Sequence, residues 1–134
     1  MKTVFNKIMT KKIKLLIVED NVSLKKVMNH RLKEEGYGVD IVGNGNEALK
    51  AIEKKDYTLV LLDLIMPFKN GYEVLQTLKT LKKRPRVIVF TNLAGKEERQ
   101  KAIDLGAEEV YIKADISIQE VVNIVKNALT VEES

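Results

Sequence analysis

Short apolar segments of this chain repeatedly end in a charged or hydroxyl-bearing residue, and this pattern constrains the fold more than any other feature. In an open parallel sheet, the carboxyl ends of all strands lie along one edge, where ligands bind. We therefore expect the residues that end these segments to meet in one crevice. In chain order they are Glu19 with Asp20, then Asp63, Thr91 and Lys113.

Strand and helix patterns alternate five times, which predicts an α/β fold: a parallel sheet covered by helices on both faces. The predicted strands span residues 14–18, 39–42, 59–62, 87–90 and 110–112. The first, third and fourth are continuously apolar and should be interior, whereas Asp40 interrupts the second and marks it as an edge. These assignments agree with the order 2-1-3-4-5 known for one type of doubly wound sheet, which we apply here.

Apolar residues at helical spacing predict the helices that cover this sheet. The segment from Gly95 to Leu105 differs, because it is nearly all polar and has Ala102, Ile103 and Leu105 as its main anchors. It is either an element that moves at low cost or simply a well-hydrated helix. The other predicted core positions are Leu24, Val27, Met28 and Leu32; Ala48, Leu49 and Ile52; Val74, Leu75, Leu78 and Leu81; and Ile118, Val121, Val122, Val125 and Leu129.

Length and composition predict one folded domain. The 134 residues suffice for a single core, which we place at residues 12–130, between a basic N-terminal extension (1–11) and a short tail (131–134). Cysteine is absent, which excludes disulfides and thiolate metal sites. No apolar run has the length of a signal peptide core or a membrane span, so we expect a cytoplasmic protein without membrane contact.

The net charge of +4 raises the question of nucleic-acid binding. The lysines are scattered among acids rather than gathered on one stripe with aromatic residues, so we expect no direct contact with nucleic acid. The densest basic run, Lys82 to Arg84, follows a predicted helix and is interpreted as a solvated cap at its carboxyl end.

The three acids at the predicted strand ends point to a divalent cation. Carboxylates held close together repel one another unless they share a cation or retain a proton. Mg²⁺ prefers oxygen ligands and keeps several waters, so Glu19, Asp20 and Asp63 suit it. A carboxylate such as Asp63 can also attack phosphorus, with Lys113 and Thr91 supplying a cation and a hydroxyl for the transferred group. Each residue alone has a commoner structural role, and only their joint placement favours this chemistry.

The order of these residues resembles the receiver domain of bacterial two-component response regulators, especially the stand-alone, chemotaxis-regulator type. The resemblance rests on Ile17 to Asn21, on Asp63 to Pro67 with Gly71, on Thr91, and on Gly106 to Glu109 leading to Lys113. It implies a flavodoxin-like (βα)5 sheet and a phosphoryl group accepted by Asp63 from a sensor histidine kinase or phosphotransfer protein. It further implies that Mg²⁺ is held by Glu19, Asp20, Asp63 and the Ile65 carbonyl, and that Thr91 and Lys113 bind the phosphoryl group.

The chain also departs from the family pattern. Ala114 follows Lys113 where a proline is usual, Asn92 stands where a small residue is usual, and Asn70 replaces an aspartate before Gly71. Val110 occupies the position of the usual switch aromatic, and Tyr111 follows it on the opposite face of the strand. The switch candidates are therefore Thr91, Val110 and Tyr111.

The resemblance implies a signalling switch rather than an enzyme, one that catalyses its own phosphorylation and slow dephosphorylation. It implies output to a downstream protein through the face formed by the fourth helix, fifth strand and fifth helix, from a monomer or a phosphorylation-dependent dimer. Two alternatives stay open. One is a non-phosphorylated pseudo-receiver that only binds partners, and the other is a Mg²⁺-dependent phosphohydrolase, which is weaker because Ile65 stands where such enzymes place a general acid. His30 is expected to be a surface helix residue and not a phosphodonor.

Overall fold

A computed structural model describes residues 13–66, 68–93 and 95–133 of the chain. Strands and helices alternate along it, and a single 3-10 turn follows the last strand. The elements are β1 (Lys14–Val18), α1 (Val22–Glu34), β2 (Gly38–Val42), α2 (Gly45–Lys54), β3 (Leu59–Leu62), α3 (Gly71–Leu78), β4 (Arg86–Thr91), α4 (Lys96–Asp104), β5 (Glu109–Ile112), the 3-10 turn (Lys113–Asp115) and α5 (Ile118–Glu133).

The five strands of the described residues are parallel and lie in the order β2-β1-β3-β4-β5, which confirms the predicted fold class and strand order. β2, the strand interrupted by Asp40, lies at one edge, and β1, β3 and β4 are interior. The Asp40 carboxylate accepts hydrogen bonds from the Tyr57 hydroxyl at 2.6 Å and from Lys55 at 3.2 Å. The Tyr57 hydrogen bond is the main reason that the pKa of Asp40 lies below its ordinary value.

The sheet separates the core into two layers, because successive side chains of a strand point to opposite faces. Leu16, Val18, Val60 and Leu62 belong to one layer, with α2, α3 and α4 packed on it. The alternate residues of the same strands belong to the other layer, with α1 and α5 packed on it. Continuous apolar strands are therefore buried on both faces, as expected for interior parallel strands.

Among the described residues, three of the five helices are preceded by an asparagine cap whose side chain accepts a hydrogen bond from the helix backbone. Asn70 forms a reciprocal capping box with Glu73, so this replacement for aspartate still starts α3 efficiently. Two core predictions on helices were wrong. Val27 is 44% exposed and Ile103 is 36% exposed, because the stripe that each helix buries is narrower than the apolar pattern suggested. Leu81 lies beyond the end of α3 but still packs against the core.

Helix α4 has one buried residue, Ala102, and no side-chain cap at Gly95. It is held to α3 by polar contacts: the Tyr72 hydroxyl donates to the Glu98 carbonyl at 3.1 Å, and Lys79 donates to the Asp104 carbonyl at 3.1 Å. The Lys101 ammonium also lies 4.4 Å from the centre of the Tyr72 ring. Few apolar contacts hold this helix, as predicted for the segment, but its movement remains a prediction.

The predicted domain boundaries are untested. Helix α5 continues through Glu133, into the segment predicted as a tail, and the predicted basic extension lies outside the described residues. Within the part of the chain that the structure describes, no helix combines the length and the apolar character needed to cross a bilayer.

Candidate functional site

The backbone places two acids at the ends of neighbouring interior strands. The Glu19 amide donates to the Val42 carbonyl at 3.0 Å, and the Asp63 amide donates to the Val18 carbonyl at 3.1 Å. Both hydrogen bonds continue the sheet beyond the last residue of a strand, so the two residues emerge side by side at its carboxyl edge. Glu19 is 3% exposed and Asp63 is 5% exposed, so both side chains are shielded from solvent.

Asp20 completes an acidic group with these two residues. Each of the three acids offers a carboxylate oxygen, and these oxygens all lie within 4.8 Å of one another. Asp20 is exposed whereas Glu19 and Asp63 are buried, so one side of the group is open to solvent. Hard oxygen donors with an open side suit Mg²⁺, which retains part of its water shell.

Lys113 offsets part of the negative charge of the acidic group in this structure. Its ammonium donates to Glu19 Oε1 at 2.7 Å and to Asp63 Oδ2 at 2.8 Å. Burial works to lower the pKa of Lys113, but the hydrogen bonds and charges of Asp63 and Glu19 outweigh it and raise that pKa above its ordinary value. Lys113 is therefore a firmly charged cation that bridges two buried carboxylates.

Each carboxylate is also held through its second oxygen. Glu19 Oε2 accepts from the Asn21 amide at 3.0 Å, and Asp63 Oδ1 accepts from the Ile65 amide at 3.1 Å. These backbone donors fix the orientation of both side chains, so Oδ2 is the Asp63 oxygen engaged only by Lys113 among the described contacts. The Ile65 carbonyl as a metal ligand remains a prediction.

Gly71 explains how the chain can turn closely behind Asp63. A Cβ atom at this position would lie 2.6 Å from the Asp63 carbonyl oxygen and 2.6 Å from the Leu64 Cα. Backbone at such distances leaves no room for any side chain, so glycine is required by close approach. The Gly71 amide donates to the Leu64 carbonyl at 3.0 Å, which joins the start of α3 to the segment after Asp63.

Thr91 ends β4, the strand beside β3, and is completely buried. Its Oγ1 accepts from the Leu93 amide at 3.2 Å, so its hydroxyl proton is free to be directed elsewhere. The two switch candidates on β5, Val110 and Tyr111, lie on opposite faces of that strand, as expected from strand geometry. Val110 is buried in the layer that includes Ala102, whereas the Tyr111 ring stacks on Phe90 with centroids 5.5 Å apart.

One contact beside the site has no signal in the sequence. Asn92 Oδ1 accepts from the Ala114 amide at 3.0 Å, which joins the loop after β4 to the turn after β5. A side-chain to backbone hydrogen bond between loops 22 residues apart creates no periodicity, so pattern analysis could not find it. His30, by contrast, lies at the surface near Glu34 on α1, as predicted.

Comparison with known proteins decides the family. The model of the response regulator receiver domain matches residues 15–126, which is most of the chain. The chain belongs to the response regulator receiver domain family. Receiver domains are signalling switches that accept a phosphoryl group.

Solved receiver structures agree with this assignment. The chain is similar to a CheY-like receiver domain protein from Methanospirillum hungatei, with a TM-score of 0.83 and 26% identity over 90% of this chain and 96% of that one. It is equally similar to the signal receiver domain of a putative Luxo repressor protein from Vibrio parahaemolyticus. The TM-score is again 0.83, with 27% identity over 90% of this chain and 92% of that one.

Curated relatives are longer than this chain. The transcriptional regulatory protein HprR of Escherichia coli is 36% identical over 101 residues, which cover 75% of this receiver and 45% of HprR. The uncharacterized transcriptional regulatory protein YkoG of Bacillus subtilis is 35% identical over 115 residues, which cover 86% of this receiver and 50% of YkoG. The chain thus spans about half the length of the curated relatives it matches.

Proposed function

We propose that this receiver domain is a phosphorylatable signalling switch whose phosphoacceptor is Asp63. The observation that carries the proposal is the bridge from Lys113 to Asp63 and Glu19 inside an acidic group that Asp20 completes. Glu19, Asp20, Asp63 and the Ile65 carbonyl would hold Mg²⁺. The phosphoryl group would come from a sensor histidine kinase or a phosphotransfer protein.

The contacts of Asp63 suggest how the transfer proceeds. Because Oδ1 is held by the Ile65 amide, Oδ2 is the oxygen that attacks phosphorus once the Lys113 ammonium releases it. A bond forms from Oδ2 to phosphorus, and the bond from phosphorus to the donor nitrogen or oxygen breaks with its electron pair. Bound Mg²⁺ would offset the charge on the transferring group. Lys113 and the Thr91 hydroxyl then bind phosphoryl oxygens, and slow attack by water on phosphorus returns the free carboxylate.

The residues of the site fit the phosphohydrolase alternative less well than a signalling switch. Such enzymes commonly place a general acid two residues after the nucleophile, and Ile65 at that position supplies none. The cleft of about 570 Å³ between α3 and α4 has none of Glu19, Asp20, Asp63, Thr91 and Lys113 in its lining, so it offers no substrate pocket beside these residues.

The test is incubation with a small-molecule phosphodonor in the presence and absence of Mg²⁺, followed by intact mass measurement. We expect a gain of one phosphoryl group that requires Mg²⁺ and is absent in Asp63→Asn. A wild-type protein whose mass never changes, although it is folded and binds Mg²⁺, would instead support the pseudo-receiver that binds partners without phosphorylation.

The output surface is proposed as the face of α4, β5 and α5. A phosphoryl group beside Thr91 and Lys113 adds about two negative charges, which draw both residues toward the new oxygens. Val110 cannot present a ring, so the signal passes by backbone shift or through Tyr111. Amide hydrogen exchange with and without beryllofluoride should show altered protection within residues 94–112. A change confined to the surroundings of Asp63 would contradict this output face.

The molecules that this chain contacts are part of the proposal. HprR and YkoG are named as transcriptional regulators, so the expectation that this chain itself contacts no nucleic acid is untested. We also predict that the chain acts as a single-domain regulator on a downstream protein. We expect it to be a monomer or a phosphorylation-dependent dimer and to be located in the cytoplasm.

A further inference from the structure

The hydrogen bond between Asn92 and Ala114 joins the two loops that carry the proposed phosphoryl-binding residues. Asn92 directly follows Thr91, and Ala114 directly follows Lys113. The Asn92 side-chain oxygen accepts from the Ala114 amide at 3.0 Å. The contact therefore lies one residue beyond Thr91 on one loop and one residue beyond Lys113 on the other.

The Asn92 side chain extends the connection between β4 and β5 beyond the last backbone pair. Thr91 is paired with Ile112 in the parallel register of β4 and β5, and this is the last pair of that ladder. Just past it the chain leaves the strand, and Lys113–Asp115 forms a 3-10 turn. The Asn92 side-chain carbonyl takes the part that a backbone carbonyl plays inside the ladder, so the connection of the two strands persists beyond their ends.

The bond depends on both residues at once. Asparagine supplies a carbonyl oxygen on a short side chain, and residue 114 must have an amide hydrogen to donate. Proline at position 114 could not form this contact, because it has no N–H. The two departures from the receiver pattern at positions 92 and 114 thus meet in one interaction.

We propose that Asn92 is a positioning residue which, through the Ala114 amide, holds Thr91 and Lys113 at the separation needed to bind one phosphoryl group. This inference rests on the proposed function of Asp63. Asn92 itself is exposed and acts through the backbone of the neighbouring loop. A preformed separation lowers the entropy lost when both loops close on the phosphoryl oxygens.

The backbone that carries the three acids does not depend on this bond. Glu19 and Asp20 follow β1 and Asp63 follows β3, and the amides of Asn21 and Ile65 orient the two buried carboxylates. Loss of the Asn92 contact leaves these donors in place, so it should weaken binding of a phosphoryl group more than binding of Mg²⁺ alone. A purely structural role would not separate these two affinities.

The test compares Asn92→Ala, Ala114→Pro and the double variant with wild type, using calorimetric titration with Mg²⁺ alone and with beryllofluoride in saturating Mg²⁺. Each single variant should weaken beryllofluoride binding about three- to tenfold, the range for loss of one hydrogen bond. The double variant should be no weaker than the singles, because all three remove the same bond. The Mg²⁺ affinity should stay within about twofold of wild type throughout, since a twofold change is smaller than the loss of one hydrogen bond.

Asn123→Ala is the matched control, because Asn123 is an exposed asparagine whose side chain accepts from Gln119 within α5, at 3.1 Å. It should leave both affinities unchanged. Unaltered beryllofluoride affinity in Asn92→Ala, or losses that add in the double variant, would overturn the positioning role while the phosphoryl site stands. Wild-type protein that binds Mg²⁺ but no beryllofluoride would overturn the proposed function and this inference together.

Discussion

Lys113 compensates two buried carboxylates, so its removal should cost stability in the metal-free protein. In Lys113→Met the apolar stem is preserved, but Glu19 and Asp63 lose the ammonium that lies 2.7 and 2.8 Å from their oxygens. Removing one partner of a buried ion pair costs about 3–5 kcal/mol. Because both carboxylates keep a backbone donor and Lys113 retains some exposure, we expect a loss near the lower limit, about 3 kcal/mol.

The same substitution should strengthen Mg²⁺ binding. In wild type an incoming divalent ion must displace or repel the tethered ammonium, whereas in Lys113→Met it meets uncompensated acids. At a Mg²⁺ concentration ten times the wild-type Kd, the ion stabilises wild type by about 1.4 kcal/mol. Tenfold tighter binding in the variant would raise this gain to about 2.7 kcal/mol.

Urea unfolding monitored by circular dichroism, with and without Mg²⁺, measures both effects. Lys83→Met is the matched control, because Lys83 pairs with Asp56 at 3.3 Å where both side chains are exposed, and its loss should change stability by less than about 1 kcal/mol. The reasoning is refuted if metal-free Lys113→Met is as stable as wild type, or if its gain from Mg²⁺ is no larger.

Three further outcomes follow from the same geometry. Asp20→Asn should weaken Mg²⁺ binding markedly in a calorimetric titration, and unchanged affinity would remove Asp20 from the site. Gly71→Ala should destabilise the fold by about 1–3 kcal/mol in urea, because its Cβ would meet backbone at 2.6 Å, and a neutral result would contradict the close approach. The raised pKa of Lys113 means that its ion pairs contribute full stability below its ordinary pKa of 10.5, and that this contribution is lost as pH rises through the higher folded value. Wild type should therefore lose more stability than Lys113→Met above pH 10.5, and parallel pH profiles of unfolding free energy would contradict this.

The sheet and the meeting of the acids could be predicted because they depend on patterns that tertiary contacts reinforce. Continuous apolar runs require burial on both faces, and parallel strands bring their carboxyl ends to one edge. Glu19, Asp63 and Thr91 therefore lie at strand ends as expected. The width of the face that each helix buries was less predictable. Val27 and Ile103 follow the apolar spacing, but how wide a stripe each helix buries depends on its neighbours.

Contacts specified by individual side-chain conformations could not be predicted. The sequence indicates that Lys113 lies near the acids, but not that one ammonium bridges Glu19 and Asp63. Similarly, Tyr72 on α3 donates to the Glu98 carbonyl of α4, a contact that depends on how two helices pack side by side. The Asn92 bond to Ala114 has the same character, because it arises between two irregular loops.

Locating the phosphoryl group tests the central claim most directly. After incubation with a small phosphodonor and Mg²⁺, borohydride reduction converts an aspartyl phosphate into homoserine, which peptide mass spectrometry assigns to one position. The account predicts homoserine at position 63 in wild type and at no position in Asp63→Asn. Homoserine at Asp20, a phosphorylated His30, or no modification of a protein that binds Mg²⁺ would contradict it.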